Sequence, residues 1–226
     1  NIAFILINMV VRIAIAILIC EVKNTKKKKI YQSAILLPFL MSMVILSYIV
    51  YALLSAENGL VNNTILPLLH IDPIQWYQKP KYWPAILIIA NCWKGVGYGC
   101  LIYIASLIGI DPTYYEAARL DGATKWQEIT KITLPCLVPT IITLLLLSIG
   151  RIFYSDFGLF YQVPMSSGVL FPTTNVIDTY VYRALIEQGN ISMSSAAGVY
   201  QSLVGFVIVM LSNWIVRRVD KDRALF

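Results

Sequence analysis

Apolar side chains come in long runs along this chain rather than in alternation. Five stretches approach the roughly 20 residues that carry a helix across a bilayer. They are residues 2–20, broken only by Asn8 and Arg12; 30–54, with Pro38 in the first half; 84–108, carrying Asn91, Lys94 and three glycines; 137–152, short but extendable through Phe153; and 196–216. A membrane barrel would show alternating segments of about ten residues, and these runs do not alternate. Residues 55–83 contain NGLVNN and HIDPIQWYQKP, turn formers mixed with interfacial aromatics. Residues 154–195 contain FGLFYQVP, FPTT and VIDTYVYRALIEQ, the last with apolar residues at helical spacing. The pattern predicts an all-α fold, a polytopic helical bundle forming one transmembrane domain over residues 1–226. A sixth span is expected before Asn1, which already lies inside an apolar run.

Composition agrees with this pattern. Hydrophobic residues make up 58% and charged residues 13%, with mean hydropathy +0.70. A soluble domain carries about 25% charged residues. The net charge of +6 is placed as a topology signal. Twelve of the 18 basic residues fall in residues 21–29 (Lys23 and Lys26 to Lys29), in the central stretch (Arg119, Lys125, Lys131) and at the C-terminus (Arg217, Arg218, Lys221, Arg223). Residues 55–83 and 154–195 hold only Lys79, Lys81 and Arg183. Basic loops stay in the cytoplasm, so the central stretch and the C-terminus are expected there, with 55–83 and 154–195 as extracytoplasmic loops. This placement argues against nucleic acid as a partner. The four cysteines lie in or beside apolar runs without metal-ligand spacing and read as small hydrophobes.

Residues 111–135 break the apolar chain with a polar stretch of mixed charge. Asp111-Pro112 has the form of a helix start, Asp as cap and Pro at the first position. Gly122 supplies a left-handed break, and Thr124-Lys-Trp-Gln127 matches a capping box that opens a second short helix. Pro135 marks the approach to the fourth span. Ala117 and Ala118 leave a lightly covered helix face, with Glu116, Arg119 and Asp121 as polar contacts around it. On physical grounds the stretch is either a docking loop or an amphipathic linker lying at the headgroups.

The spacing Glu116-Ala117-Ala118, Gly122, Ile132 and Leu134-Pro135 resembles the EAA loop of permease subunits in binding-protein-dependent ABC importers. NGLVNN, SIGRIFYSDFGLFYQVP and VRRVDKDRALF look like the oligosaccharide and polysaccharide branch of that family. The resemblance implies a type I ABC importer permease fold in a bacterial inner membrane. It implies that residues 111–135 form a coupling loop docking on a cytoplasmic ATPase dimer, which binds the ATP and Mg. A second homologous permease and an extracytoplasmic solute-binding lipoprotein complete the expected assembly. The chain carries no G-x-x-x-x-G-K-[ST] phosphate loop, so a non-catalytic subunit without cofactor or metal is expected. Glu116, Ala117, Ala118, Arg119, Asp121, Gly122, Ile132, Leu134 and Pro135 are the implied coupling residues.

Polar groups inside spans are costly and often line a pathway. Asn91, Trp93, Lys94 and Tyr98 in the third span, and Arg151 and Asp156 at the end of the fourth, are the candidate substrate pathway, with Ser42 and Ser47 in the second span as further polar groups. Aromatic faces beside hydrogen-bonding groups suit a sugar. Arg151 and Asp156 could equally pair with each other, and Lys94 with a carboxylate elsewhere. Gly95 and Gly99 have small-xxx-small spacing and predict close helix packing. An ion-coupled secondary sugar transporter is the alternative function, but such a protein ordinarily needs buried carboxylates, and none lies at the centre of any span.

Overall fold

The computed structural model describes residues 1–219, and Lys221 and Arg223 lie outside them. Among the described residues the fold is helical without strands. The main helices are α1 (Ile2–Cys20), α2 (Thr25–Leu40), α3 (Met43–Leu54), α4 (Trp83–Ile108), α5 (Pro112–Leu120), α6 (Lys125–Ile149), α7 (Phe157–Gln162), α8 (Ile177–Ile186) and α9 (Ile191–Val219). Four of them, α1, α4, α6 and α9, are long and apolar enough to cross a membrane.

The expected second span is broken: the helices α2 and α3 pass together as one span in length and composition, which would make five. α2 and α3 meet at 97° across Met41 and Ser42. Pro38 lies within α2 and removes a donor near its end. Ser42 then caps α3, its Oγ accepting from the Ile45 amide at 3.2 Å. The Lys94 ammonium donates to the Met41 carbonyl at the break. The apolar pattern runs through this point although only α3 buries an apolar face, with Leu46 and Val50, while α2 leaves Ile30, Leu37 and Leu40 exposed. Ser42 is therefore a cap, and Ser47 bonds back to the Val44 carbonyl at 2.7 Å.

The fourth span also differs from expectation. α6 starts at Lys125, 12 residues before the predicted start, so the second short helix and the span are continuous. Pro135 does not end a loop. A π turn over Ile129–Thr133 precedes it, closed by the Leu134 amide on the Ile129 carbonyl. The widened turn makes room for a ring that would otherwise strike the carbonyl one turn back. The same device precedes Pro67, after the π turn Val61–Ile65. At roughly 1.5 Å per residue, the 25 residues of α6 exceed a hydrocarbon core of about 30 Å. The first turns, with Lys125, Glu128 and Lys131, project beyond the apolar segment.

Two compact units divide the chain. The first comprises residues 1–4, 40–94 and 151–207. Its core gathers Leu46, Val50, Trp83, Leu87, Leu159 and Val163. Asn62, 2% exposed, ties the 55–83 segment together. Its Nδ2 donates to the Ser55 and Ile74 carbonyls, and its Oδ1 accepts from the Ile74 amide and Trp76 Nε1. The helix expected over 176–188 forms as α8. Asp178 on it accepts from the Ser155 amide at 2.8 Å, and Gln201 of α9 donates to the Phe153 carbonyl at 2.8 Å, which fixes the turn after α6.

The second unit comprises residues 5–39, 95–150 and 208 onward. Ala16, Ile19, Cys100, Tyr103, Ile104 and Leu137 form its core. Gly97 is where α4 meets the backbone of α2: a Cβ there would collide with the Ile35 carbonyl and lie 3.0 Å from the Leu36 nitrogen. The predicted Gly95–Gly99 pair serves a different end. Both face the Arg12 side chain, and a Cβ on Gly99 would overlap it. The glycines thus seat a long cation within α1 and α4, where it cannot reach water cheaply.

Candidate functional site

The polar stretch folds as a helical hairpin. Asp111 caps α5, its Oδ1 accepting from the Thr113 amide at 2.9 Å, and these bonds hold its carboxyl below the usual range. Pro112 occupies the first helical position. The hairpin turn is a Schellman motif: the Ala123 amide donates to the Ala118 carbonyl at 2.9 Å and the Gly122 amide to the Arg119 carbonyl at 3.1 Å. Gly122 sits at φ +77°, where a side chain is strained. Thr124 then opens α6 with the predicted capping box, Oγ1 accepting from the Gln127 amide and the Gln127 side chain accepting from the Thr124 amide.

An ion-pair cluster braces the hairpin. Glu128, 2% exposed, accepts from Arg119 Nε at 2.8 Å and from Lys125 Nζ at 2.8 Å. Lys125 also reaches Glu21 at 3.1 Å, past the end of α1. The bond from Arg119, then that from Lys125, holds the Glu128 carboxyl down to about 2. Arg119 thus reaches across the glycine turn to Glu128 while its side chain stays 55% exposed beside Ala117. Glu128 was missed from sequence, because its partner lies nine residues away on the other side of a turn.

What remains outward is distinct. Leu120 is 90% exposed and Trp126 72% exposed, an apolar pair flanking the turn. Glu116, Ala117, Asp121 and Gly122 are exposed with them, while Ala118 is half-buried. Ile132 and Leu134 are half-buried on α6, and Pro135 is exposed. The hairpin presents a small, rigid surface of apolar tips and acidic groups, with its cations turned to its own carboxylates.

The span candidates separate into different settings. Spacing places Asn91, Lys94 and Tyr98 along one stripe of α4, with Trp93 off it. Asn91 is half-buried. Lys94 donates to the Met41 carbonyl at the α2–α3 break. Tyr98 stacks on Phe39, ring centroids 4.7 Å apart. Trp93 lines an apolar cavity of about 360 Å³ with Leu46, Val50, Ile86 and Ala90. Asp156 caps α7, accepting from the Leu159 amide at 3.1 Å, and the described ion pairs do not join it to Arg151, which is exposed.

Comparison with known proteins follows the same lines. The polygalacturonan/rhamnogalacturonan transport system permease protein YteP of Bacillus subtilis (strain 168) is 33% identical over 212 residues, covering 94% of this chain and 65% of that protein. The lactose transport system permease protein LacF of Rhizobium radiobacter is 29% identical, covering 93% of this chain and 70% of that protein. A crystal structure of a bacterial alginate ABC transporter, in complex with an alginate pentasaccharide-bound periplasmic protein, contains a chain with TM-score 0.89 and 35% identity. That match covers 96% of this chain and 74% of the other. The chain spans just under two thirds of the length of the first curated relatives it matches. The model of one family, described as binding-protein-dependent transport system inner membrane component, matches residues 12–221, and the chain belongs to that family of ABC importer permeases.

Proposed function

We propose that this chain is the non-catalytic permease subunit of an ATP-driven importer that carries oligosaccharides across the bacterial cytoplasmic membrane. The observation that carries the reading is the hairpin of residues 112–128. It keeps the spacing of the family's coupling loop, is rigidly braced, and leaves Leu120 and Trp126 exposed. Burying such tips in a groove of an ATPase subunit would stabilise the contact by about 1.5–3 kcal/mol per large apolar side chain. Glu116, Ala117, Asp121 and Gly122 form the surface around them, Ala118 and Arg119 shape and brace it, and Ile132, Leu134 and Pro135 join the hairpin to α6.

In this reading the hairpin and the C-terminus face the cytoplasm, as the basic loops require. Closure of the ATPase dimer moves the hairpin. Because α6 is continuous from Lys125 to Ile149, that motion passes into a span without crossing a flexible joint. A second permease subunit supplies the other half of the pathway, and an extracytoplasmic binding protein delivers the sugar to residues 55–83 and 154–195. The names of the similar proteins support an oligosaccharide cargo. Asn91 and Tyr98 remain the pathway residues of choice, with Trp93 and Arg151 secondary to them. Lys94 and Asp156 act by holding the helices that shape the path. The main helices α1 to α9 contain only one acidic residue outside α5 and the first turn of α6, Asp178 of α8. That leaves an ion-coupled mechanism without a span carboxylate to carry it.

The test is the pair Glu116→Arg and Gly122→Pro in the complete transporter. ATPase subunits should fail to co-purify, and uptake should fall to background while the permease stays in the membrane. Retained association and uptake would overturn the assignment.

A further inference from the structure

A cavity of about 280 Å³ lies behind the hairpin, within the second unit. Its walls come from the ends of two spans, Ile17 and Cys20 of α1 with Leu107 and Ile108 of α4. Its rim is polar: Lys28, Glu21, and Tyr115 and Arg119 of α5. Where two spanning helices end together, an apolar wall faces hydrocarbon and a polar rim faces the headgroups. The volume is several times the roughly 30 Å³ share of one water, room for a phosphate group and part of a glycerol.

Among the charged residues that line it, Lys28 and Arg119 outnumber Glu21. Glu21 is paired with Lys125, and Glu128 with Arg119 and Lys125. Lys28 stands outside these described ion pairs. It is also distinct among the five lysines of residues 21–29: Lys23, Lys26, Lys27 and Lys29 are exposed, whereas Lys28 is half-buried and lines the cavity. A lysine turned inward against an apolar wall, with surplus positive charge at its mouth, calls for an anion that brings its own apolar tail.

We infer that this cavity binds the headgroup phosphate of an anionic phospholipid, with Lys28 as its cation and the α1–α4 wall as the seat of an acyl chain. The phosphate lies between Lys28 and the Tyr115–Arg119 side of α5, so the lipid joins the 21–29 segment to the hairpin. The net positive lining of Lys28 and Arg119 against Glu21 selects phosphatidylglycerol over a zwitterionic lipid. One basic residue near an anionic surface contributes about 1 kcal/mol, roughly a fivefold change in binding.

The experiment purifies the complete transporter from membranes and reads retained lipid by native mass spectrometry. It then measures exchange into vesicles of phosphatidylcholine with and without phosphatidylglycerol. Lys28→Gln is compared with Lys27→Gln, which removes the same charge from an exposed position. The expected result is retained phosphatidylglycerol in the wild type and in Lys27→Gln, and about a fivefold loss in Lys28→Gln. Equal losses in both variants would assign the effect to the general surface charge and overturn the site. Inorganic phosphate displacing the lipid's effect in phosphatidylcholine vesicles would overturn the lipid as its source. Lipid retention is read without transport, so it stands or falls separately from the import reading.

Discussion

Replacing Gly97 with alanine sets the close crossing of α2 and α4 against the small-xxx-small reading of the same helix. The new Cβ would lie 2.5 Å from the Ile35 carbonyl carbon and closer still to its oxygen. These are backbone atoms, so no rotamer change relieves the clash. The two helices must part by about 1 Å, and overpacking of this kind costs about 1–3 kcal/mol. For a chain of this size that is a fall of roughly 2–12 °C in unfolding midpoint. Gly99→Ala meets the side chain of Arg12, which can shift only within the membrane, and should cost about 1 kcal/mol. Gly95→Ala comes 3.3 Å from an Arg12 terminal nitrogen and should cost less. Gly198 of α9 has nothing within 4 Å of its would-be Cβ, and alanine there should be neutral or stabilising by up to ~1 kcal/mol. The assay is thermal unfolding of the four variants in one detergent, followed through tryptophan fluorescence. The expected order of loss is Gly97, Gly99, Gly95, Gly198. If Gly97→Ala matched Gly198→Ala while Gly95→Ala and Gly99→Ala were the damaging pair, the crossing described here would be wrong.

Other outcomes follow from the hairpin. Gly122→Ala places a side chain at φ +77° and should weaken ATPase association about five- to thirtyfold, the equivalent of about 1–2 kcal/mol of left-handed strain; Gly122→Asn, measured in the same pull-down, should recover much of the loss. Glu128 has its carboxyl lowered from the ordinary 4.5 to about 2, so the brace is complete above about 4.5 and is lost only as pH falls toward 2. Association measured across the neutral range should therefore show no titration that Glu128→Gln abolishes.

Much of the hairpin was legible because its signals are local. Asp111-Pro112, Gly122 and the Thr124–Gln127 box each act within four residues, and each took the predicted conformation. The long apolar runs likewise marked α1, α4 and α9. What could not be read depended on distant partners. The α2–α3 break interrupts no apolar pattern, and the cation that holds it, Lys94, is 53 residues away. Pro135 looked like a boundary, since a ring in a helix ordinarily breaks it; the π turn that accommodates it leaves no clear composition signal. The pairing of exposed Arg119 with Glu128 went unread because the two lie on opposite sides of the turn. Three alternating glycines within five residues of α4 cannot reveal which one meets a backbone and which ones meet Arg12.

The central claim is that the turn between α5 and α6 is where an ATPase subunit docks. A photo-reactive benzophenone side chain placed at Leu120 tests it most directly, with Ile186, 62% exposed on α8, as the comparison site. In the complete transporter, illumination should join the Leu120 site to the ATPase subunit, with a yield that changes when ATP is added. The Ile186 site should give no such product. An ATPase adduct from Ile186, or none from Leu120 in a complex that still imports, would contradict the account.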